Sequence, residues 1–213
     1  MCTKKGLIKR SKLMLYSKPR RGGIYAIDVN EKDELIQAKL SSGDQDILLA
    51  TNNGKSIRFN EKQIRSTGRK TKGVKGIRMS FADDYVIGML TVRREGQVLV
   101  VSSKGFGKRS ELSQYREQHR GGKGVFTLKA NQKTGKLISI MEVVDEDDLM
   151  IITDQGIMIR QPVSSLNIIG RNTQGVKLIR LDKGAQIASV TKVIKDEEEL
   201  QEQEEDPAPQ TEE

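Results

Sequence analysis

The sequence holds no tryptophan, one histidine, one cysteine and four prolines among 213 residues. Each scarcity excludes something. Cys2 has no partner for a disulfide within the chain, a pattern that suits a reducing compartment. His119 as the sole histidine leaves no catalytic triad, dyad or histidine-based metal centre. The longest apolar runs are four or five residues, far below the roughly 20 that a membrane-spanning helix requires. The basic N-terminus lacks the apolar stretch of a signal peptide. The chain is therefore expected to be soluble and cytoplasmic, with no membrane partner.

Acidic residues are sparse in most of the chain and crowded at its end. Residues 195–213 contain ten of them and a single lysine. The first 194 residues hold 36 basic and 19 acidic side chains, a net +17 inside a whole-chain charge of +8. Such a body suits a polyanionic partner, because lysine and arginine displace the counterions condensed on phosphates. Charge alone also fits a merely soluble basic surface. The tail is free of aromatics and contains Pro207 and Pro209, so it is expected to be disordered. It serves either solubility or autoinhibition, in the second case by occupying the basic body in competition with a polyanion.

What the chain does have is a repeat. The pattern [ST]-x-x-G-x-x-x-R occurs at Thr3/Gly6/Arg10, Thr51/Gly54/Arg58, Ser102/Gly105/Arg109 and Thr153/Gly156/Arg160. A second landmark, Gly73-Val74, Gly124-Val125 and Gly175-Val176, falls 19 residues after the first glycine, and Gly23-Ile24 falls 17 after Gly6. Arg69, Arg120 and Arg171 stand four residues before that second glycine, while the first repeat offers Arg20 and Arg21. These landmarks divide residues 1–194 into repeats of approximately 1–44, 45–93, 94–146 and 147–194.

Each repeat reads as β structure. Segments 47–51, 98–102 and 149–153 are short and rich in Val, Ile and Leu, and their continuous apolar character predicts strands buried on both faces. Asn53-Gly54 is a hairpin signal, since both residues tolerate positive φ, and a second strand is expected at 55–59. A third apolar segment follows the second glycine (23–27, 175–181), and a fourth closes the unit (34–40, 86–90, 136–141, 187–193). Four strands per repeat of about fifty residues is the pattern of a propeller-like blade. The fold class is all-β: four blades and a disordered acidic tail. Residues 145–148 are expected to form a solvated turn rather than a metal site.

The segment Gln118-His119-Arg120-Gly121-Gly122-Lys123-Gly124 resembles the gyrase box, Gln-Arg-Arg-Gly-Gly-Lys-Gly, with His119 in place of one arginine. Gly68-Arg69 with Gly73-Val74-Lys75-Gly76-Ile77, and Gly170-Arg171-Asn172-Thr173-Gln174-Gly175-Val176, also resemble the C-terminal domain of DNA gyrase A subunits. The resemblance covers residues 1 to about 194. It implies a β-pinwheel, in which six blades form a disc and double-stranded DNA wraps the basic rim without sequence preference. The parent that the resemblance implies is an ATP-driven type II topoisomerase that introduces negative supercoils. Four repeats instead of six, and a box in the third repeat instead of the first, imply the last four blades, with the catalytic half upstream. The implied partners are double-stranded DNA and the other gyrase A and B domains of an A2B2 assembly, in the bacterial cytoplasm and at the nucleoid. ATP and Mg2+ would be used elsewhere in that assembly, and no cofactor is expected in this chain.

The same resemblance bears on catalysis. A DNA-cleaving tyrosine of such enzymes follows an arginine, whereas Tyr16, Tyr25, Tyr85 and Tyr115 follow Leu15, Ile24, Asp84 and Gln114. The chain is not expected to be an enzyme in isolation.

Physical reasoning gives the box a role of its own. Glycine at 121, 122 and 124 keeps Cβ atoms away, so backbone N–H groups can approach phosphate oxygens, and Arg120 and Lys123 supply charge. The loop residues Arg69, Lys70, Lys72, Arg171, Arg20 and Arg21 are candidates for phosphate contact. The strand arginines Arg10, Arg58, Arg109 and Arg160 suit two roles equally, DNA contact or stitching of blades through carboxylates. Two other readings remain: the corresponding domain of topoisomerase IV, and a propeller-like protein-interaction scaffold with incidental charge.

Overall fold

The computed structural model describes residues 1–94 and 96–193, so the tail expected at 195–213 lies outside the described residues. Among the described residues there are fifteen strands: β1 (Cys2–Thr3), β2 (Leu7–Ile8), β3 (Leu35–Gln37), β4 (Asp46–Thr51), β5 (Lys55–Asn60), β6 (Val74–Lys75), β7 (Val86–Thr91), β8 (Gln97–Ser102), β9 (Phe106–Glu111), β10 (Val125–Phe126), β11 (Leu137–Val143), β12 (Asp148–Thr153), β13 (Met158–Pro162), β14 (Val176–Lys177) and β15 (Ile187–Val193). Four 3-10 turns, Leu13–Tyr16, Glu61–Gln63, Leu112–Gln114 and Val163–Ser165, are the remaining regular elements of the described residues. Among those residues no helix is long and apolar enough to cross a membrane.

The strands form four antiparallel sheets, in the orders β3-β1-β2-β6, β7-β4-β5-β10, β11-β8-β9-β14 and β15-β12-β13. In each, the fourth segment of the repeat lies at one edge, and β3, β7, β11 and β15 pack against one another in succession. They form the hub of the arc. The opposite edges form its rim.

The third segment does not join its own repeat. β6 of the second repeat pairs with β2 of the first, β10 with β5, and β14 with β9. Each of the first three sheets therefore borrows its rim strand from the next repeat. The fourth sheet has three strands among the described residues, and residues 23–27, expected to be a strand, form none.

Continuous apolar strands arise because each central sheet is covered on both sides. Alternate residues of a strand face opposite ways. Ile47 and Leu49 belong to the core shared with the first sheet, and Leu48 and Ala50 to the core shared with the third. Val98 and Val100 point into that second core, and Leu99 and Val101 into the third.

Two local expectations need correction. Among the described residues no non-glycine has positive φ, so Asn53 does not, and Gly54 alone supplies it at this turn, at +79°. The Gly54 N–H donates to the Thr51 carbonyl (2.9 Å), the pattern of a longer turn ending in a left-handed glycine rather than a two-residue hairpin. The acidic turn at 145–148 is only partly solvated. Asp147 and Asp148 are buried, paired with Arg94 and Arg160 at 2.7 Å each. Burial raises the pKa of Asp147, but the Arg94 hydrogen bond and the Val144 N–H together bring it below the usual carboxylate range. Among the described residues no group of His, Cys, Asp and Glu is placed to hold a metal.

Candidate nucleic-acid interface

Of the strand arginines Arg109 is buried, Arg10 and Arg58 are half-buried, and Arg160 is exposed. Arg58 donates from Nε to Asp46 (2.7 Å) and from Nη1 to the Leu112 and Tyr115 carbonyls (3.1 Å each) of the next blade. Arg109 pairs with Asp145 and reaches across to the carbonyls of Leu166 and Ser164. Arg10 reaches Glu61 of the second blade (3.4 Å), a buried carboxylate that also accepts from Ser41 Oγ and from the Gly43 and Gln45 N–H groups. Burial opposes the charge on Glu61, yet these bonds hold its pKa below the ordinary value. Arg160 pairs with Asp148 in its own blade. Asp46 and Asp148 both lie twelve residues before their arginine, a spacing visible in the sequence.

The loops that carry the second landmark are clasped to the preceding blade. The Arg120 N–H donates to Gln63 Oε1 (2.9 Å), its Nε to the Gln63 carbonyl (3.0 Å) and its Nη1 to the Lys75 carbonyl (3.0 Å). Arg171 repeats this on Gln114 and Phe126 with 2.8, 2.9 and 2.8 Å bonds. Gln63 and Gln114 went unnoticed in the sequence, although each stands five residues after its strand arginine. Nη2 of Arg120 and of Arg171 makes no hydrogen bond among the described residues.

Gln118 donates its N–H to the Arg58 carbonyl (2.8 Å) and Gly121 to the Gly76 carbonyl (2.6 Å). Gly124, at φ +69°, passes so close to β5 that a Cβ would sit 2.4 Å from the Ser56 oxygen. Its glycine serves strand exchange. His119 and Lys123 are exposed, as are Lys70, Lys72, Arg20 and Arg21, while Arg69 is half-buried. Lys70 lies over the Tyr25 ring, 5.5 Å from its centre.

Two of the loops rest on buried lysines. Lys108 donates to the carbonyls of Gly170 (2.6 Å), Arg171 and Thr173, and to Thr173 Oγ1 (2.9 Å). Burial lowers its pKa to about 7, and repulsion from Arg171 and Lys129 acts in the same direction. Lys9 likewise donates to the carbonyls of Arg69 and Ala26, and burial lowers its pKa too. The box loop differs. Ile57 replaces the lysine, and Gly122 occupies the threonine position, where a Cβ would lie 3.4 Å from Ile57 Cδ1.

Successive loops are tied into one strip. The Asp28 N–H donates to the Thr71 carbonyl (3.2 Å), Arg78 to Gly122 (2.8 Å) and Lys129 to Thr173 (3.0 Å). Arg78, Lys129 and Arg180, each five residues after a second glycine, are exposed and were missed in the sequence because they fall past the loop. With Lys72, Lys75, Lys123 and Lys177 they form a row of exposed cations at the rim. Among the described residues the side chains of these seven enter no ion pair.

The comparisons agree with this architecture. A family model described as DNA gyrase C-terminal domain, beta-propeller matches residues 1–42, 45–93, 96–143 and 147–194. The chain belongs to the DNA gyrase C-terminal domain family. It is 38% identical over 202 residues to the DNA gyrase A protein of Salmonella typhimurium, covering 94% of this chain and 23% of that protein. To the Staphylococcus aureus gyrase A protein it is 41% identical over 203 residues, covering 95% and 23%. The chain thus spans about a quarter of the length of these gyrase A relatives. A solved DNA gyrase A C-terminal domain superposes with a TM-score of 0.80 at 26% identity, over 91% of this chain and 64% of that one. The C-terminal domain of DNA topoisomerase IV shares the fold, with a TM-score of 0.84 at 21% identity over 91% and 60%.

Proposed function

We propose that this gyrase C-terminal domain binds double-stranded DNA without sequence preference and wraps it along the rim, as a piece of a gyrase A protein. The observation that carries the reading is the strip of exposed cations, repeated in register with the blades and free of internal ion pairs. Nothing on the strip resembles a helix or ribbon that could enter a major groove, so phosphates are the target and base sequence is not. Lys72, Lys123, Arg78, Lys129 and Arg180 make the principal contacts. Arg69, Lys70, Arg20 and Arg21 extend the path, and Arg120 and Arg171 offer Nη2 while their other bonds shape the loops. The strand arginines Arg10, Arg58 and Arg109 act as stitches between blades, while Arg160 pairs with Asp148 in its own blade. Because the strip follows an arc, DNA must bend, at a cost on the order of 1–6 kcal/mol for a 20–30 bp site, offset by several phosphate contacts.

Identity to gyrase A proteins favours gyrase over topoisomerase IV as the parent. In the parent, DNA cleavage, ATP and Mg2+ use and the A2B2 assembly belong to other segments. The test is binding to duplexes of unrelated sequence across a salt series. Equal affinities, with log K falling against log salt by about 0.9 per phosphate contacted, support the reading. Absence of binding, or a slope near zero, overturns it and leaves a protein-interaction scaffold.

A further inference from the structure

Each exchanged strand sets one apolar and one cationic residue opposite each other. At the first joint Leu7 of β2 pairs with Lys75 of β6, and at the third Phe106 of β9 pairs with Lys177 of β14. In both, the apolar residue lies half-buried on the receiving strand, and the lysine is exposed on the donated one. The middle joint reverses this order. Lys55 on β5 is half-buried, and Phe126 opposite it on β10 is 43% exposed. A ring therefore stands at the place in the rim row where the neighbouring joints carry lysine. Its exposure is not that of a chain end, because β5, the box loop and the loop at 170–175 of the next blade all lie in place around it.

Cations surround that ring. Lys55 Nζ sits over it, 5.2 Å from its centre, and is steadied by Ser80 Oγ at 3.0 Å, a cation–π contact that orients the ring. Arg171 donates from Nη1 to the Phe126 carbonyl (2.8 Å). Lys123, three residues before, and Lys129, three residues after, are exposed. A phosphate gains nothing from an aromatic ring, but a nucleobase stacks on one whatever its identity. Paired bases in a duplex already have both faces covered by their neighbours. A ring driven between base pairs also kinks the duplex away from the wedge, against the bend that the rim imposes. An unpaired base has a free face to offer.

We propose that Phe126, oriented by Lys55, is a stacking site for an unpaired DNA base, so that the rim holds single-stranded DNA as well as duplex. Lys123 and Lys129 take the phosphates on either side of the stacked nucleotide, and Arg171 adds its Nη2. These phosphate contacts rest on the DNA path proposed above, whereas the stacking contact does not. Because the ring meets a base face and not a base edge, the site is indifferent to sequence and selects unpaired over paired nucleotides.

Fluorescence anisotropy of the 213-residue chain with three probes tests this: an oligo(dT) strand, an abasic strand of equal length and charge, and a duplex. Far-ultraviolet circular dichroism confirms that each variant folds. The wild type binds oligo(dT) about 5- to 150-fold more tightly than the abasic strand, the worth of one stacked base. Phe126→Lys installs the residue found at positions 75 and 177. It brings that ratio close to one while duplex affinity holds or rises, and Phe126→Trp keeps the ratio. A wild-type chain that binds both strands equally, or neither, overturns the proposal. So does a preference for oligo(dT) that survives in Phe126→Lys. Loss of duplex binding with the strand ratio intact overturns the rim path for duplex alone.

Discussion

Arg120 and Gln63 hold each other through both backbone and side chain. The Arg120 N–H meets Gln63 Oε1 at 2.9 Å, and its guanidinium Nε meets the Gln63 carbonyl at 3.0 Å. The residues lie in adjacent repeats, so the pair fixes the box loop on the blade before it. Gln63→Ala leaves the Arg120 N–H without its partner, and a loss of about 1–3 kcal/mol in urea unfolding is expected. Arg120→Lys keeps the charge but cannot span the Gln63 and Lys75 carbonyls with a planar fork, and should cost a similar amount. A double-mutant cycle should return a coupling of about 0.5–3 kcal/mol. Simple additivity would show that the clasp carries no energy of its own.

Lys108 makes stability depend on pH. Its pKa falls from an ordinary 10.5 to about 7 in the folded protein, first through burial. Between those values the unfolded chain binds the extra proton, so stability rises as pH increases through that window, and below pH 7 the full cost of the buried charge is felt. Lys108→Met should flatten this dependence in denaturant titrations across pH 6–10. It also strips a donor from the Gly170, Arg171 and Thr173 carbonyls, at about 1–3 kcal/mol. Lys108→Ile with Thr173→Gly recreates the Ile57 and Gly122 pairing of the box loop and should recover part of that loss. Unchanged pH dependence in Lys108→Met would refute the assignment.

Glycines that look alike in the sequence should respond differently to alanine. Gly54 and Gly156 both sit near φ +80°, a conformation that costs an L-residue about 1–2 kcal/mol. At Gly54 the new Cβ also meets the Leu128 carbonyl oxygen at 2.1 Å, while at Gly156 it meets nothing. Gly54→Ala should therefore destabilise the chain clearly more than Gly156→Ala in thermal or urea unfolding. Equal losses would mean that strand exchange at this joint yields without cost.

Periodicity made the repeat, the central strands and the turn glycines legible, because those features sit at constant spacing. The fourth segment at 187–193 coincides with β15. Strand exchange was not legible, since a two-residue strand such as Val125–Phe126 carries no sign of which sheet it joins. Gln63 and Gln114 escaped because a glutamine beside a 3-10 turn looks like any surface glutamine. Its partner, an arginine 57 residues later, becomes a neighbour only once the blades pack. Loop charge was readable, but which cations the fold consumes was not. Arg120 and Arg171 look as free as Lys123 until their carbonyl partners are placed.

That division between consumed and exposed cations gives the DNA reading its sharpest consequence. Neutralising Lys72, Lys123, Arg78, Lys129 or Arg180 to glutamine or alanine removes a side chain that enters no ion pair among the described residues, so unfolding free energy should change by less than about 0.5 kcal/mol. Each should nevertheless lower the magnitude of the salt slope for DNA binding by up to about 0.9, uniformly across duplex sequences. Arg58→Gln should do the opposite, costing stability through Asp46 and the Leu112 and Tyr115 carbonyls. In that variant the slope of the folded fraction should stay nearly intact. Measuring slope and stability on the same variants separates contact from stitch. If the strand arginine moves the slope while the rim cations do not, the DNA path does not follow the rim strip.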